Sequence, residues 1–305
     1  MIWEKKGLIF APSGELPWSQ SAAHLPVASL LKDSIRVYFT TRDANGYGRI
    51  GYVDLDIDEP GRVLAVAREP VLDLGELGTF DDCGVVSNSV IDFAGRKYLY
   101  YQGYQRTERA PYMTFTGLAI GDAQGTAFEK WSRTPITDRT DEEPFIRSTP
   151  CVLYENGAWK MWYVSALRWM EDEHGLHYLC LIKYATSADG IDWKAHPSVC
   201  LEPKMPDEYA VGRPAVVHDG EIYRMWYSIR SFSQLYTIGY AESADGIAWT
   251  RKDEHAGISK SNSGWDSEMI CYPNVVNVKG RTLMFYNGNG LGRTGFGYAV
   301  LRSQS

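Results

Sequence analysis

Nowhere in the 305 residues does an apolar run approach the roughly 18 needed to cross a bilayer as a helix. The opening Met1-Ile2-Trp3-Glu4-Lys5-Lys6 has neither an apolar core nor a small-residue cleavage site. No membrane insertion is expected, and the reading is of a soluble, cytoplasmic protein. Basic charge is also scarce: 31 Lys and Arg against 38 Asp and Glu give a net charge of −7. Nucleic acid is therefore not an expected partner, because a phosphate backbone requires a basic patch. The five cysteines, Cys83, Cys151, Cys180, Cys200 and Cys271, are odd in number and form no C-x-x-C pair. That argues against a disulfide framework and against a zinc site, and leaves reduced core thiols. A Walker A sequence, a strand-linked G-x-G-x-x-G and H-E-x-x-H are all missing, so no cofactor and no metal is expected. Helix-period segments of useful length are missing too.

What the chain has is aromatic residues, 20 Tyr and 10 Trp, and a repeat. SADGIAW at Ser243 to Trp249 has a close copy, SADGIDW, at Ser187 to Trp193. Each follows a Tyr-Ala pair in an alternating apolar run, then gives Asp-Gly, then a Trp that opens another extended run. Asp-Gly between two such runs is a hairpin signal, since Gly accepts a positive φ at no steric cost.

Five longer segments can be laid over one another. RPAVVHDGEIYRMWYS (Arg213 to Ser228) is the most regular: a Pro opens a strand, Asp219-Gly220 turns, and Ile222 to Tyr227 returns. TPCVLYENGAWKMWYV (Thr149 to Val164) and YPNVVNVKGRTLMFYN (Tyr272 to Asn287) follow the same plan. NSVIDFAGRKYLYYQ (Asn88 to Gln102) and LPVASLLKDSIRVYFT (Leu25 to Thr40) are poorer copies. A third strand follows each hairpin, and a fourth opens with Trp131, Trp193 or Trp249. Four strands every 50 to 60 residues or so is the spacing of propeller blades. The last unit has no Trp-led fourth strand of its own; Ile2 to Ile9 resembles Ala248 to Lys252 and is expected to complete it. Residues 1–305 are thus expected to form a single all-β domain, a five-bladed β-propeller of four-stranded antiparallel blades closed by the N-terminal strand.

With five blades, first strands opening x-Pro-x-Val and the S-x-DG-x-x-W hairpin end, the chain resembles the five-bladed propellers of carbohydrate-active enzymes, the superfamily of glycoside hydrolase families 43, 32, 68 and 130. The resemblance covers nearly the whole chain. It implies a central funnel where the first strands converge, with acidic residues near their beginnings doing the chemistry. Family 43 enzymes carry Asp directly before the Pro of a first strand; here the aligned residues are Leu25, Asn88, Thr149, Arg213 and Tyr272, with no carboxylate among them.

Carboxylates do stand slightly earlier, at Asp81-Asp82, Asp141-Glu142-Glu143, Asp207-Glu208, Asp266 and Glu268. Glycosidic cleavage needs a protonated and an ionised carboxyl about 5 to 10 Å apart. Asp82 and Glu268 are the candidate pair, with Glu143 the third candidate. Arg147 and Arg213 stand just before first strands and suit a bidentate grip on carboxylate or phosphate, or else neutralise nearby acids. His24 holds the related place in the first unit, suited to a sugar hydroxyl or to proton transfer, or to a structural hydrogen bond. Tyr272 and Trp169, with Tyr104 and Tyr209, are candidate sugar platforms. Trp169 lies in an insertion, residues 168–177, that also carries His174 and either overhangs the funnel or forms a solvated loop.

The expectation is a glycoside hydrolase-like enzyme cleaving or transferring a glycosyl unit on a sugar, oligosaccharide or sugar phosphate, an anionic sugar or sugar conjugate being one option. Two alternatives stay open: a carbohydrate-binding propeller without catalysis, and a glycosyl-transferring enzyme of polysaccharide biosynthesis. Oligomeric state is left open.

Overall fold

The computed structural model describes residues 1–173 and 175–302; His174 and residues 303–305 lie outside the described residues. Among the described residues, helical structure is confined to a 3-10 turn at Asp253–His255 and a short turn at Asn289–Gly292. The rest of the regular structure is strand. β1 (Trp3–Phe10) opens the chain. The first meander is β2 (Ser21–Leu30), β3 (Ser34–Arg42), β4 (Gly48–Asp56) and β5 (Val63–Val66). The second is β6 (Gly84–Phe93), β7 (Arg96–Arg106), β8 (Tyr112–Gly121) and β9 (Phe128–Lys130). The third is β10 (Arg147–Glu155), β11 (Ala158–Asp172), β12 (Gly175–Ser187) and β13 (Lys194–Leu201). The fourth is β14 (Glu208–His218), β15 (Tyr223–Ser231), β16 (Thr237–Ser243) and β17 (Thr250–Arg251). The last three strands, β18 (Cys271–Val278), β19 (Arg281–Asn287) and β20 (Phe296–Leu301), are completed by β1, which pairs antiparallel with β20 from Trp3–Leu301 to Phe10–Phe296. The N-terminal strand therefore stands where the Trp3 alignment put it.

Hairpins between first and second strands follow from their turn residues. Ala94-Gly95, Asn156-Gly157 and Lys279-Gly280 each take positive φ at both positions, the two-residue turn whose twist matches the flanking strands. The second strands read as continuous apolar runs because they are covered on both faces. Val37-Tyr38-Phe39, Leu99-Tyr100-Tyr101, Met161-Trp162-Tyr163, Met225-Trp226-Tyr227 and Met284-Phe285-Tyr286 are all buried.

Neighbouring residues of these runs serve different interfaces. Tyr38 and Tyr101 share a core between the first two meanders, and Tyr100 and Tyr163 share one between the second and third. Trp162 and Tyr227 join the third to the fourth, and Trp226 and Tyr286 the fourth to the last. Phe285 and Phe39 then join the last meander back to the first. The main hydrophobic cores thus lie between meanders, and the series is cyclic.

The SADG turns fasten these interfaces. In Ser187 to Trp193, the Gly190 N–H donates to Ser187 Oγ at 2.9 Å, and Asp189 Oδ1 accepts the N–H groups of Ile191 and Asp192 at 2.8 and 2.9 Å. Those main-chain donors hold the Asp189 carboxyl below its ordinary pKa. The same bonds recur at Ser243, Asp245 and Gly246. The glycine carbonyl then faces the preceding meander: Gly190 accepts Tyr100 Oη–H at 2.8 Å, and Gly246 accepts Trp162 Nε1–H at 2.7 Å. Tyr38 donates to Gly125 in the same way at 2.8 Å. The repeated string is therefore a latch from one meander to the next.

One expectation is corrected. Trp131 does not open a fourth strand: β9 ends at Lys130, and Trp131 is 53% exposed. Lacking the Asp-Gly turn that docks Trp193 and Trp249 on a glycine carbonyl, its ring stays at the surface.

Candidate functional site

The first strands converge. β2 packs on β6, β6 on β10, β10 on β14, β14 on β18, and β18 on β2. Each carries a register break at its beginning, between His24 and Val27, Ser87 and Ser89, Ser148 and Cys151, Gly212 and Ala215, and Cys271 and Asn274. The extra residues at these bulges include Leu25, Asn88, Thr149, Arg213 and Tyr272. Four of the five have positive φ, between 51° and 55°, directly before a proline. For a β-branched residue such as Thr149 this conformation is an outlier, and such strain gathers at sites where the surrounding structure imposes it.

These bulges border a cavity of about 270 Å³ that draws lining residues from all five meanders. Leu25, Thr149, Arg213 and Tyr272 line it, with His24 beside them. One wall is aromatic: Tyr104, Tyr112, Tyr178, Tyr236 and Tyr272. Tyr104 packs on Tyr112 with centroids 5.7 Å apart, Tyr112 on Tyr178 at 5.9 Å, and Tyr236 on Tyr272 at 5.7 Å. Arg42, Arg213 and Arg230 supply the positive charge. Among the described residues that line the cavity, none is aspartate or glutamate.

The acids of the lead-in loops have other partners. Asp81 accepts Tyr101 Oη–H at 2.9 Å and pairs with Lys130 at 2.7 Å. Glu143 accepts Tyr163 Oη–H at 3.0 Å and pairs with Arg147 at 3.0 Å and Lys183 at 3.4 Å. Asp266 accepts Tyr286 Oη–H at 2.9 Å and pairs with Lys5 at 2.6 Å, and Glu208 pairs with Arg251 at 2.8 Å. A buried carboxylate without such partners would be costly, so Tyr101, Tyr163 and Tyr286, which end their aromatic runs, each form a fixed trio with the acid and a nearby cation. Burial, ahead of the adjacent carboxylate, raises the Tyr101, Tyr163 and Tyr286 hydroxyls, so they remain protonated donors.

Of the three catalytic candidates, Glu143 is thus held in a buried ion pair outside the cavity lining. Asp82 is half-buried and adjoins Cys83, which does line the cavity; its Oδ2 accepts the Gly78 N–H at 2.9 Å and its Oδ1 is buried without a partner. Glu268 is exposed beside the Asn289–Gly292 turn, which contributes Leu291 to the lining.

The binding candidates divide similarly. Arg147 is buried against Glu143 and donates to the Asp138 carbonyl at 2.6 Å, which is the neutralising alternative. Arg213 has no acid partner among the described residues. Its Nη1 donates to the Asn88 carbonyl at 2.6 Å and its Nη2 to the Pro26 carbonyl at 3.3 Å, while Nε is buried without a partner. Burial of that charge lowers its pKa to about 10, so the group stays cationic at neutral pH. His24 Nδ1 bonds the Leu291 carbonyl, so Nδ1 carries the proton and Nε2 is an acceptor. Burial pulls its pKa down to about 4, and the ring is neutral at pH 7. Trp169 stands behind the aromatic wall, 5.0 Å from Tyr178 and 5.5 Å from Tyr112, with Nε1 buried and unpartnered. Tyr209 packs on His177 and Phe232 outside the cavity lining.

Arg230, Tyr112, Tyr178 and Tyr236 were not singled out in the sequence. Arg230 follows the aromatic run of β15 by three residues, at the end where second strands meet the cavity, and that position was its only signal.

No family model matches the chain. Its fold is shared with a glycoside hydrolase (TM-score 0.76, 18% identity, covering 99% of this chain and 92% of that one) and a glycosyl hydrolase from Bacteroides ovatus (TM-score 0.76, 15% identity, 99% and 94%). A thermostable family-43 glycoside hydrolase is similar at TM-score 0.67 and 15% identity, covering 95% and 91%. At these identities the likeness is one of fold, an all-β propeller type. Sequence relatives are nearer: the uncharacterized proteins MT1551 and Rv1502 of Mycobacterium tuberculosis are each 40% identical over 304 residues, covering 99% of this chain and 100% of theirs. The chain belongs to the family of these two mycobacterial proteins.

Proposed function

We propose that the chain is a single five-bladed propeller of the glycoside-hydrolase type, and that its central cavity binds a sugar or sugar conjugate carrying negative charge. The ring of first strands, the cyclic series of cores and the N-terminal strand beside β20 support the blade count. The observation that carries the binding reading is the cavity lining, five tyrosines with three arginines and no carboxylate among its described residues. Tyrosine rings offer a face for the C–H side of a pyranose, and guanidinium groups without acid partners offer charge to an anion.

A second reading, glycosyl cleavage or transfer, is favoured by Asp82, whose buried unpartnered oxygen adjoins the cavity-lining Cys83. In it Asp82 and Glu268 act as the acid and base or nucleophile, with His24 Nε2 on a sugar hydroxyl. A glycan array of neutral and acidic saccharides, followed by product analysis on the ligands found, separates the two. Retained ligand with no product supports binding alone; product that disappears in both Asp82→Asn and Glu268→Gln supports catalysis. Failure to retain any saccharide overturns both readings.

A further inference from the structure

The cavity holds a guanidinium in an unusual setting. Arg230 Cζ lies 4.8 Å from the ring centroid of Tyr178 and 4.8 Å from that of Tyr236. Tyr112 stands edge-on to Tyr178 at 86°, and Tyr272 edge-on to Tyr236 at 76°, so four tyrosines surround one cation. All five residues line the cavity. No acid pairs with Arg230 among the described residues; burial opposes its charge, and the phenols of Tyr178, Tyr236, Tyr272 and Tyr112 outweigh that and keep it protonated.

An aromatic ring attracts a guanidinium through its face, whereas the five N–H donors lie in the guanidinium plane. Two flanking rings therefore use the faces and leave the donors at the edge. Arg230 is half-buried at the cavity, and among the described residues no carboxylate takes its donors, so they stay open to a ligand that enters. The in-plane fork matches the two oxygens of a planar carboxylate, held side by side. A phosphate, with its oxygens spread out of any one plane, fits a slot between two rings less well. The sugar ring of a uronic acid, attached at the carboxylate carbon, would then lie along the remaining tyrosine faces.

We infer that Arg230, clasped between Tyr178 and Tyr236, is the anchor for a carboxylate, and that the ligand of this cavity is a sugar acid. This rests on the cavity being the sugar site proposed above.

The test is isothermal titration of the full chain with three matched sets differing at C6: glucose, galactose and mannose, the corresponding 6-phosphates, and the corresponding uronates, with acetate as a ringless carboxylate. At least one uronate is expected to bind tenfold or more tighter than its neutral partner and than its phosphate. Arg230→Met should reduce that preference to less than twofold. Arg230→Lys, which keeps the charge but loses the fork, guards against a packing effect and should weaken uronate binding at least fivefold. Both variants are checked for an unchanged circular dichroism spectrum and melting transition. Equal binding of uronates and neutral sugars, a stronger phosphate, or a preference that survives both substitutions overturns the carboxylate anchor while the sugar site stands. Binding of acetate without any sugar overturns the sugar site and leaves Arg230 as an anion anchor. No binding by any probe overturns both.

Discussion

The Tyr100 hydroxyl donates to the Gly190 carbonyl at 2.8 Å across the boundary between the second and third meanders. Gly190 has φ of +79°, and a Cβ there would meet Tyr100 Oη at 2.7 Å and the Trp159 ring at 3.0 Å. Gly190→Ala therefore combines a left-handed backbone penalty of about 1 kcal/mol with a broken or displaced latch worth about 1 kcal/mol more. A loss of about 2–3 kcal/mol is expected in urea unfolding, with Tyr100→Phe costing about 1–2 kcal/mol because it orphans the carbonyl. An unchanged midpoint for both would refute the latch.

Asn287 performs the corresponding task where the last meander meets the first. Fully buried, it donates from Nδ2 to the carbonyls of Ala23 and Gly295 at 2.6 and 2.9 Å, and its Oδ1 accepts the Leu25 N–H at 2.7 Å. Asn287→Ala leaves three buried main-chain groups without partners, at about 1–3 kcal/mol each before water enters. An overall loss of about 3–5 kcal/mol is expected. Proteolysis should then attack near Ala23 first, and a variant as resistant as the parent protein would count against this closure.

Glu143→Gln tests the reading of that acid as structural. Arg147 would remain buried without its counter-charge, and one-sided removal of a buried pair typically costs about 3–5 kcal/mol. Thermal unfolding should show a loss of that order. A variant of native stability would return Glu143 to the catalytic candidates.

His24 and Asp253 each make stability fall with acid, in separate ranges. His24 has a folded-state pKa of about 4 against an ordinary 6.5, so between those values the unfolded chain takes up a proton that the folded chain refuses. Its contribution is intact above pH 6.5 and is lost as pH drops towards 4. Asp253 is different: burial raises its pKa, but bonds from Lys204, Tyr227 and Arg251 outweigh that and hold it below its ordinary 3.8. Its stabilisation is present above that value and disappears as pH falls further. A His24→Gln variant should show a flatter stability curve between pH 6.5 and 4, and Asp253→Asn a flatter one only below about pH 4. A parallel curve for His24→Gln would mean that the imidazole is solvated in the folded protein.

The repeat made the strands legible, because Asp-Gly and Asn-Gly turns and prolines before first strands are local signals, and Trp193 and Trp249 each dock on a glycine three residues back in their own turn. Trp131 misled because its neighbourhood lacks that turn. The bulge residues were legible too, as the residues before the prolines. The acids were not: whether Asp81 or Asp82 faces inward depends on Tyr101 and Lys130, which approach from other strands. Arg230 was hidden for the same reason, since its meaning comes from Tyr178 and Tyr236, which are distant or unremarkable in the chain.

The bulges at Leu25, Thr149, Arg213 and Tyr272 are set by main-chain register, with leucine, threonine, arginine and tyrosine all accommodated at the same left-handed station on the cavity. The scaffold behaves as four sockets whose occupants differ while the backbone geometry stays the same. Carboxylates introduced at two of them, for instance Thr149→Asp with Leu25→Glu, would place acid groups at the cavity by a route that does not disturb the tyrosine–cation trios. The chemistry of this cavity is thus a matter of which residues fill the sockets, and it can be rewritten one socket at a time.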